Sequence, residues 1–208
     1  MILPRTDWLS MWAVYTPGRL CLRDDDSGRE WTYAGAETRT RALAAYLHDD
    51  LGLRRGDRIG VYAQNCPEYV FLFLACVKLG TVLVPLNFRL TPREVDVLLA
   101  DADPALLVTD EGLAEAAAEL ASVPANARRA MMSELTPVID ADFAADFSAD
   151  RAGEPDDLVM ILYTAGTTGC PKGAMITHRM LLWNSINTAL RLDLTSADHS
   201  QAYAPFFH

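Results

Sequence analysis

Apolar and polar positions near the start of the chain alternate in a way that predicts short helices and strands. Thr6 or Asp7 can cap a helix through WLSMWAVY, and RLCLR and EWTY predict two strands around the turn DDDSG. From Thr32 to His48 an alanine-rich segment has helical spacing. Residues 1–56 are therefore predicted to form a helix, a β-hairpin and a second helix.

Beyond this region, short runs of continuous apolar residues alternate with helical segments. Strands are predicted at RIGVYA, TVLVPL, ALLVT and LVMILYT, and helices at PEYVFLFLACVKL, TPREVDVLLADA and EGLAEAAAELA. Apolar strands that alternate with helices are typical of a parallel sheet covered on both faces. We therefore predict an α/β fold, with a parallel sheet flanked by helices on both faces over residues 57–190 and an N-terminal β-hairpin before it.

The periodicity fades between Val123 and Asp157. From Asp140 to Asp157 the chain carries seven acidic residues against one arginine. We interpret residues 138–157 as an acidic surface linker of little regular structure, whose charge is solvated and does not bind metal. Residues 191–208 follow the last predicted helix, and we expect them to begin a further subdomain.

Composition and charge exclude several classes of protein. The chain has 208 residues, of which 50% are apolar, and its formal net charge is -10. A globular fold is expected, whereas general electrostatic binding to nucleic acid or to an anionic membrane is not. The longest apolar run, YVFLFLACV, has nine residues and is too short to span a bilayer. The four cysteines show no metal-ligand spacing and no secretory signal precedes them, which predicts free thiols in the cytoplasm.

The candidate chemistry lies in LYTAGTTGCPKGAMITH, which follows the predicted strand LVMILYT. Glycine backbone N–H groups and threonine hydroxyls suit a polyphosphate, and Lys172, one of only two lysines, adds a compact positive charge. The phosphate-loop spacing is not met, because Pro171 and Gly173 stand where that motif needs glycine and a hydroxyl residue. The alternative is a Gly/Thr turn that only joins two strands.

The stretch YTAGTTGCPKG closely resembles the motif of the adenylate-forming superfamily, Tyr-Thr-Ser-Gly-Thr-Thr-Gly-any-Pro-Lys-Gly, and departs from it only at Ala165. The resemblance extends through WTYAGAETRTRALAAYL, the long stretch that starts at GDRIGVYAQNCPEY, and PFFH at the other end, so it covers nearly the whole chain. Within the superfamily, PLNFRLTP and PFFH are similar to acyl-CoA synthetases, whereas peptide-synthetase adenylation domains usually differ at both places. The fold is therefore expected to be the N-terminal subdomain of the acyl-CoA synthetase fold.

This resemblance implies a two-step reaction that uses ATP, Mg²⁺ and coenzyme A. A carboxylic acid, expected to be a fatty acid, attacks the α-phosphate to give an acyl-adenylate and pyrophosphate, and the thiol of coenzyme A then displaces AMP. Thr167 is the candidate Mg²⁺ ligand, and His208 would line the acyl and pantetheine passage as a gate. The resemblance assigns ATP phosphate binding to Thr164, Ala165, Gly166, Thr167, Thr168, Gly169 and Lys172.

Other parts of the family pattern do not occur in the chain, including the Tyr-Gly-x-Thr-Glu segment and the mobile C-terminal domain with its lysine. We therefore expect an N-terminal fragment of a CoA ligase that has no turnover by itself and self-associates through exposed faces. The alternative is a naturally short nucleotide-binding or interaction module, and the codons after His208 would distinguish the two. A peptide-synthetase adenylation domain is disfavoured.

Two further residues of this region carry side chains that could take part in chemistry. His178 follows the predicted helix cap Thr177, so we interpret it as a helix-start residue and not as a base. Cys170 occupies the variable position of the motif, where a thiol would make the loop sensitive to alkylation.

Overall fold

The fold is given by a computed structural model, which describes residues 6–141, 147, 153–164 and 171–208. In these ranges the helices are α1 (Trp8–Tyr15), α2 (Tyr33–Asp49), α3 (Pro67–Leu79), α4 (Pro92–Ala102), α5 (Ala114–Ala118), α6 (Met132–Asp140) and α7 (His178–Leu192). The strands are β1 (Leu20–Arg23), β2 (Glu30–Thr32), β3 (Arg58–Tyr62), β4 (Val82–Pro85), β5 (Leu106–Thr109), β6 (Arg128–Met131), β7 (Leu158–Thr164) and β8 (Lys172–Thr177).

The N-terminal region forms the predicted helix, hairpin and second helix. Asp7 caps α1, because its carboxylate accepts a hydrogen bond from the Ser10 N–H at 3.1 Å. Thr32 ends β2 and caps α2 in the same way, since its hydroxyl accepts from the Gly35 N–H at 3.1 Å. The antiparallel pairing of β1 with β2 confirms the hairpin.

The main sheet has six strands in the order β6-β5-β3-β4-β7-β8. The first five run parallel, which confirms the predicted parallel sheet, whereas β8 pairs antiparallel with β7. The difference has a simple cause: only residues 165–171 separate β7 from β8, and a parallel return needs a crossover of a dozen residues or more. The two ends of the family motif therefore lie on the paired strands β7 and β8.

Helices cover both faces of this sheet, as the alternating pattern predicts. On one face β3 contributes Ile59 and Val61 to a buried cluster that includes residues of α2, α3 and α6. On the other face Tyr62 packs with residues of α4. Trp31 and Leu43, from the first 56 residues, belong to the first cluster, so the N-terminal region shares the core of the sheet layer.

A buried ion cluster joins the first three helices. The Lys78 ammonium of α3 lies 2.6 Å from a carboxylate oxygen of Asp7, at the start of α1, and 2.7 Å from one of Glu37 in α2. It also donates to the Ser10 hydroxyl at 2.7 Å. Lys78 is only 3% exposed, so this charge is neutralised entirely by protein groups.

The prediction of an irregular linker over residues 138–157 is wrong for residues 138–140, because α6 continues to Asp140. Before this helix, where the sequence periodicity already fades, residues 128–131 form β6, which pairs parallel with β5. In β6 only Ala130 is buried, so the strand lacks an apolar run, and Pro137 interrupts the helical pattern of α6. Of residues 141–157 the structure describes 141, 147 and 153–157, and the linker interpretation of the rest lies outside the described residues.

Large apolar side chains are exposed on β8, on α7 and in the segment after it. They include Met175, Met180, Trp183, Leu190 and Tyr203. No helix in the described ranges is both long enough and apolar enough to cross a lipid bilayer. Self-association through exposed faces stays a prediction, and sedimentation that shows a monomer at all concentrations would contradict it.

Candidate nucleotide-binding site

The β7–β8 hairpin brings the two described ends of the motif together. Thr164 and Lys172 are register partners, and the Thr164 hydroxyl donates to the Lys172 carbonyl oxygen at 3.5 Å. Both residues are exposed. The other five predicted phosphate-binding residues, among them the candidate Mg²⁺ ligand Thr167, lie outside the described residues and stay predictions. These five are Ala165, Gly166, Thr167, Thr168 and Gly169.

Gly173, next to Lys172, allows β8 to lie against the side chains of β7. A Cβ at this position would lie 2.8 Å from Cγ2 of Ile161 and 3.4 Å from the ring of Tyr163. Any larger residue would therefore push the strands apart and displace Lys172. The glycine that follows lysine in the motif is therefore required for packing against β7, which the sequence pattern alone does not reveal.

Tyr163 fixes β7 to the neighbouring helix. Its hydroxyl donates a 2.6 Å hydrogen bond to a carboxylate oxygen of Asp101 in α4. Burial and this carboxylate raise the pKa of Tyr163 above its ordinary range, so the hydroxyl stays protonated and keeps donating. The end of β7 is thereby held in place just before the loop begins.

The predicted gate lies at the same edge of the sheet. Asn65 follows the carboxyl end of β3, Phe88 follows that of β4, and the motif loop follows that of β7, and these three strands are adjacent and parallel. Phe207 packs on Phe88 with ring centroids 5.2 Å apart, and the His208 ring lies tilted against Phe207 with centroids 4.4 Å apart. Open α/β sheets bind ligands at this edge. No contact among the described residues joins His208 directly to Thr164 or Lys172.

The charge at the hairpin suits an anion. Lys172 is exposed, and in the described ranges its ammonium has no ion pair, in contrast to the buried ammonium of Lys78. A free lysine beside a threonine hydroxyl fits the oxygens of a polyphosphate. Within the same ranges no group of three or more His, Cys, Asp or Glu side chains is placed to hold a metal ion.

Comparison with known proteins assigns the chain that carries this hairpin to a family. The family model described as "AMP-binding enzyme" matches residues 9–208. The chain belongs to the AMP-binding enzyme family. Among curated relatives, a feruloyl-CoA synthase from Amycolatopsis sp is 39% identical over 98% of the chain, and rice 4-coumarate--CoA ligase 3 is 35% identical over 79% of it. The chain spans 40% and 30% of the lengths of these relatives, respectively.

Solved structures match the fold as well. The inhibitor-bound N-terminal domain of FACL13 from Mycobacterium tuberculosis has a TM-score of 0.89 at 28% identity, covering 99% of this chain and 52% of its own. An o-succinylbenzoate coenzyme A synthetase from Bacillus subtilis, in complex with ATP and magnesium ion, has a TM-score of 0.80 at 27% identity, covering 97% and 51%. The expected subdomain, the N-terminal part of the acyl-CoA synthetase fold, is confirmed.

His178 is a structural residue in this AMP-binding domain. It is the first residue of α7, is 5% exposed, and its N–H donates to the Asp157 carbonyl oxygen at 3.1 Å. Its Nε2 atom has no hydrogen-bond partner among the described residues. Burial lowers the pKa of the imidazole, although the charge of Asp157 partly opposes this. The helix-start interpretation fits these contacts.

The lowered pKa of His178 gives a testable pH dependence. The unfolded chain binds a proton at this imidazole more readily than the folded chain, so its contribution to stability is fully present above the unfolded pKa of 6.5. That contribution is lost as the pH falls from 6.5 towards the folded pKa. We expect His178→Gln to flatten this fall in unfolding free energy, measured by urea denaturation between pH 5 and 7.5. Equal pH slopes for the two proteins would contradict this.

Two residues beside the predicted gate were not singled out in the sequence. Asn65 accepts a hydrogen bond from the Phe206 N–H at 2.9 Å, and Arg89 places its guanidinium 5.8 Å from the ring centroid of Phe207. The turn Asn65-Cys66-Pro67 after a predicted strand was the available signal for the first, and the position of Arg89 after Phe88 was the signal for the second.

Proposed function

We propose that this chain is the ATP-binding part of an acyl-CoA ligase that activates a carboxylic acid as its adenylate and then transfers the acyl group to coenzyme A. The observation that carries the proposal is the Thr164–Lys172 pair, which holds both ends of the family motif at the carboxyl end of β7. Membership of the AMP-binding enzyme family supports it. The proposed compartment is the cytoplasm, which the free thiols of Cys21, Cys66 and Cys76 support.

The residues of the hairpin would act mainly by binding and orienting. The Lys172 ammonium and the backbone N–H groups of residues 165–169 would hold the β- and γ-phosphates so that the α-phosphate faces the carboxylate. The Thr164 hydroxyl would join them by turning from the Lys172 carbonyl oxygen to a phosphate oxygen. Bound Mg²⁺ would neutralise phosphate charge, with Thr167 as the candidate protein ligand. His208 would line the passage for the acyl and pantetheine groups. Little covalent chemistry is required of these residues in the first step.

Two classes of acid are candidates for the substrate. A fatty acid is our first expectation, and the similarity to a Mycobacterium tuberculosis fatty acyl CoA synthetase, at a TM-score of 0.76 and 28% identity, supports it. A hydroxycinnamic acid is the second, because feruloyl-CoA synthase is 39% identical to the chain. Pyrophosphate release by a longer polypeptide that contains this chain, with palmitate and with ferulate, would separate the classes. The chain alone is expected to release none.

Alkylation of Cys170 tests the loop as a phosphate site. The motif places this thiol between Gly169 and Pro171, although it lies outside the described residues. Iodoacetamide labelling, followed by peptide mass spectrometry, is expected to be slowed several-fold at Cys170 by MgATP and by magnesium pyrophosphate. Because the loop is proposed to bind the β- and γ-phosphates, magnesium with AMP should not protect.

The other cysteines supply an internal reference for this experiment. Burial raises the pKa of both Cys66 and Cys76 to about 12, so neither forms much thiolate near neutral pH. Burial also raises the pKa of Cys21. Their labelling should not respond to nucleotide. Equal protection of Cys170 by AMP, or no protection by any of the three ligands, would contradict the assignment of the loop.

A further inference from the structure

The segment from Ala202 to His208 has no regular secondary structure, yet one side chain fixes it to the sheet layer. The Asn65 amide group donates to the Ala204 carbonyl oxygen at 2.8 Å and to that of Ala202 at 3.4 Å. Its Oδ1 atom accepts from the Phe206 N–H at 2.9 Å. Both halves of the Asn65 side chain are therefore used on a segment about 140 positions away in the sequence.

Aromatic contacts extend this attachment on either side of Asn65. Phe206 packs edge-to-face on Tyr69 of α3, with ring centroids 5.3 Å apart. Phe207 is 6% exposed and packs edge-to-face on Phe88. His208 remains exposed and lies against Phe207, while its N–H donates to the Pro205 carbonyl oxygen at 3.2 Å. The imidazole thus lies against Phe207 while it remains exposed.

Asn65 itself is placed by the scaffold on both sides. The N–H of Gln64, the preceding residue, donates to a carboxylate oxygen of Asp110, which follows β5, at 2.7 Å. The following residue, Cys66, is the N-cap position of α3, and Pro67 is its first helical residue. A side chain held between the end of β3 and the start of α3 can fix residues 202–206 relative to the sheet.

We propose that Asn65 is the positioning residue for His208, acting through the backbone of residues 202–206. This rests on the proposed function, in which His208 lines the acyl and pantetheine passage. The three hydrogen bonds fix the position of the backbone between Ala202 and Phe206. The packed rings of Phe206 and Phe207 then determine where the His208 imidazole lies. The gate is therefore in place before any ligand arrives, which lowers the ordering cost of binding.

Amide hydrogen exchange and NMR spectra of the free chain test this proposal. In Asn65→Ala we expect the Phe206 amide to exchange roughly ten-fold faster, as loss of these hydrogen bonds implies. The Phe207 and His208 resonances should shift because the ring contacts are released, and the nuclear Overhauser contacts between Phe207 and Phe88 should weaken. Amides of β3 and β4 should keep their protection. The neighbouring substitution Gln64→Ala is the matched control and should change none of these signals.

The variant Asn65→Asp separates the two halves of the side chain. It keeps an acceptor for the Phe206 N–H and removes the donors to Ala202 and Ala204, so Phe206 should stay protected while the resonances of residues 202–204 shift. This graded result requires the hydrogen bonds themselves and would not follow from a general packing defect. If Asn65→Ala destabilises the whole sheet, the Asn65→Asp result still tests the positioning role of Asn65.

Two outcomes would overturn the proposal. One is an Asn65→Ala spectrum in which Phe206 exchange and the His208 resonances match the wild type. The other is an Asn65→Asp spectrum in which Phe206 loses protection together with β3 and β4. These spectra are recorded without nucleotide or coenzyme A, so they do not depend on whether the chain binds ATP. A failure of the proposed ATP binding is therefore distinguishable from a failure of the proposed role of Asn65.

Discussion

Replacing Lys78 by methionine is expected to lower the free energy of unfolding by about 3–5 kcal/mol, the usual cost of removing one partner from a buried ion pair. Methionine fills a similar volume, so the loss arises mainly from charge. The substitution leaves the carboxylates of Asp7 and Glu37 without the ammonium that lies 2.6 and 2.7 Å from them.

The protonation of Asp7 supports this expectation. Burial acts to raise its pKa, but the charge and hydrogen bond of Lys78, with the hydrogen bonds of Ser10, outweigh burial and lower it. Its stabilising contribution is therefore present above the unfolded pKa and is lost as the pH falls through the folded pKa. Without Lys78 the opposing effect of burial dominates, so Lys78→Met should remove this contribution at neutral pH.

The chain supplies its own control for this experiment. Lys172→Met removes the only other lysine, but Lys172 is exposed, and such surface changes usually stay within about 0.5 kcal/mol. Urea denaturation at pH 7, followed by circular dichroism, measures both variants. Similar small losses for the two would show that the buried cluster contributes little.

Lys172→Ala is expected to weaken binding of MgATP by at least ten-fold. A hydrogen bond to a charged group contributes about 1.5–3 kcal/mol, which corresponds to roughly 10- to 150-fold in affinity. Lys172→Arg should retain part of the affinity, because it keeps the charge but replaces a compact ammonium by a planar guanidinium. An affinity for Lys172→Ala equal to that of the wild type would mean that the phosphates are held elsewhere.

The parts of the fold with strong local patterns were predictable from the sequence. Continuous apolar strands such as RIGVYA and capped helices such as α4, where Thr91 and Glu94 form a capping box, lie where the patterns indicate. The two ends of the family motif, Thr164 and Lys172, meet across β7 and β8. In contrast, only one of the four residues of β6 is buried, so its sequence has no pattern that predicts a strand. The strand is defined by its parallel pairing with β5.

Features that depend on distant contacts were not predictable. Lys78 is a residue type that is usually exposed, and its burial becomes clear only when Asp7, 71 positions away, is brought beside it. The same holds for Asn65, whose partners lie at the other end of the chain. Such polar contacts leave no periodicity in the sequence.

Calorimetric titration of this chain with MgATP, beside Lys172→Ala and Arg128→Ala, tests most directly whether the hairpin loop binds a polyphosphate. Arg128 is exposed at the start of β6, the edge strand farthest from β8, so its loss removes one positive charge away from the loop. We expect weak binding by the wild type and by Arg128→Ala, and at least ten-fold weaker binding by Lys172→Ala. Absence of binding by all three proteins, or equal binding by all three, would contradict the assignment of the loop as a phosphate site.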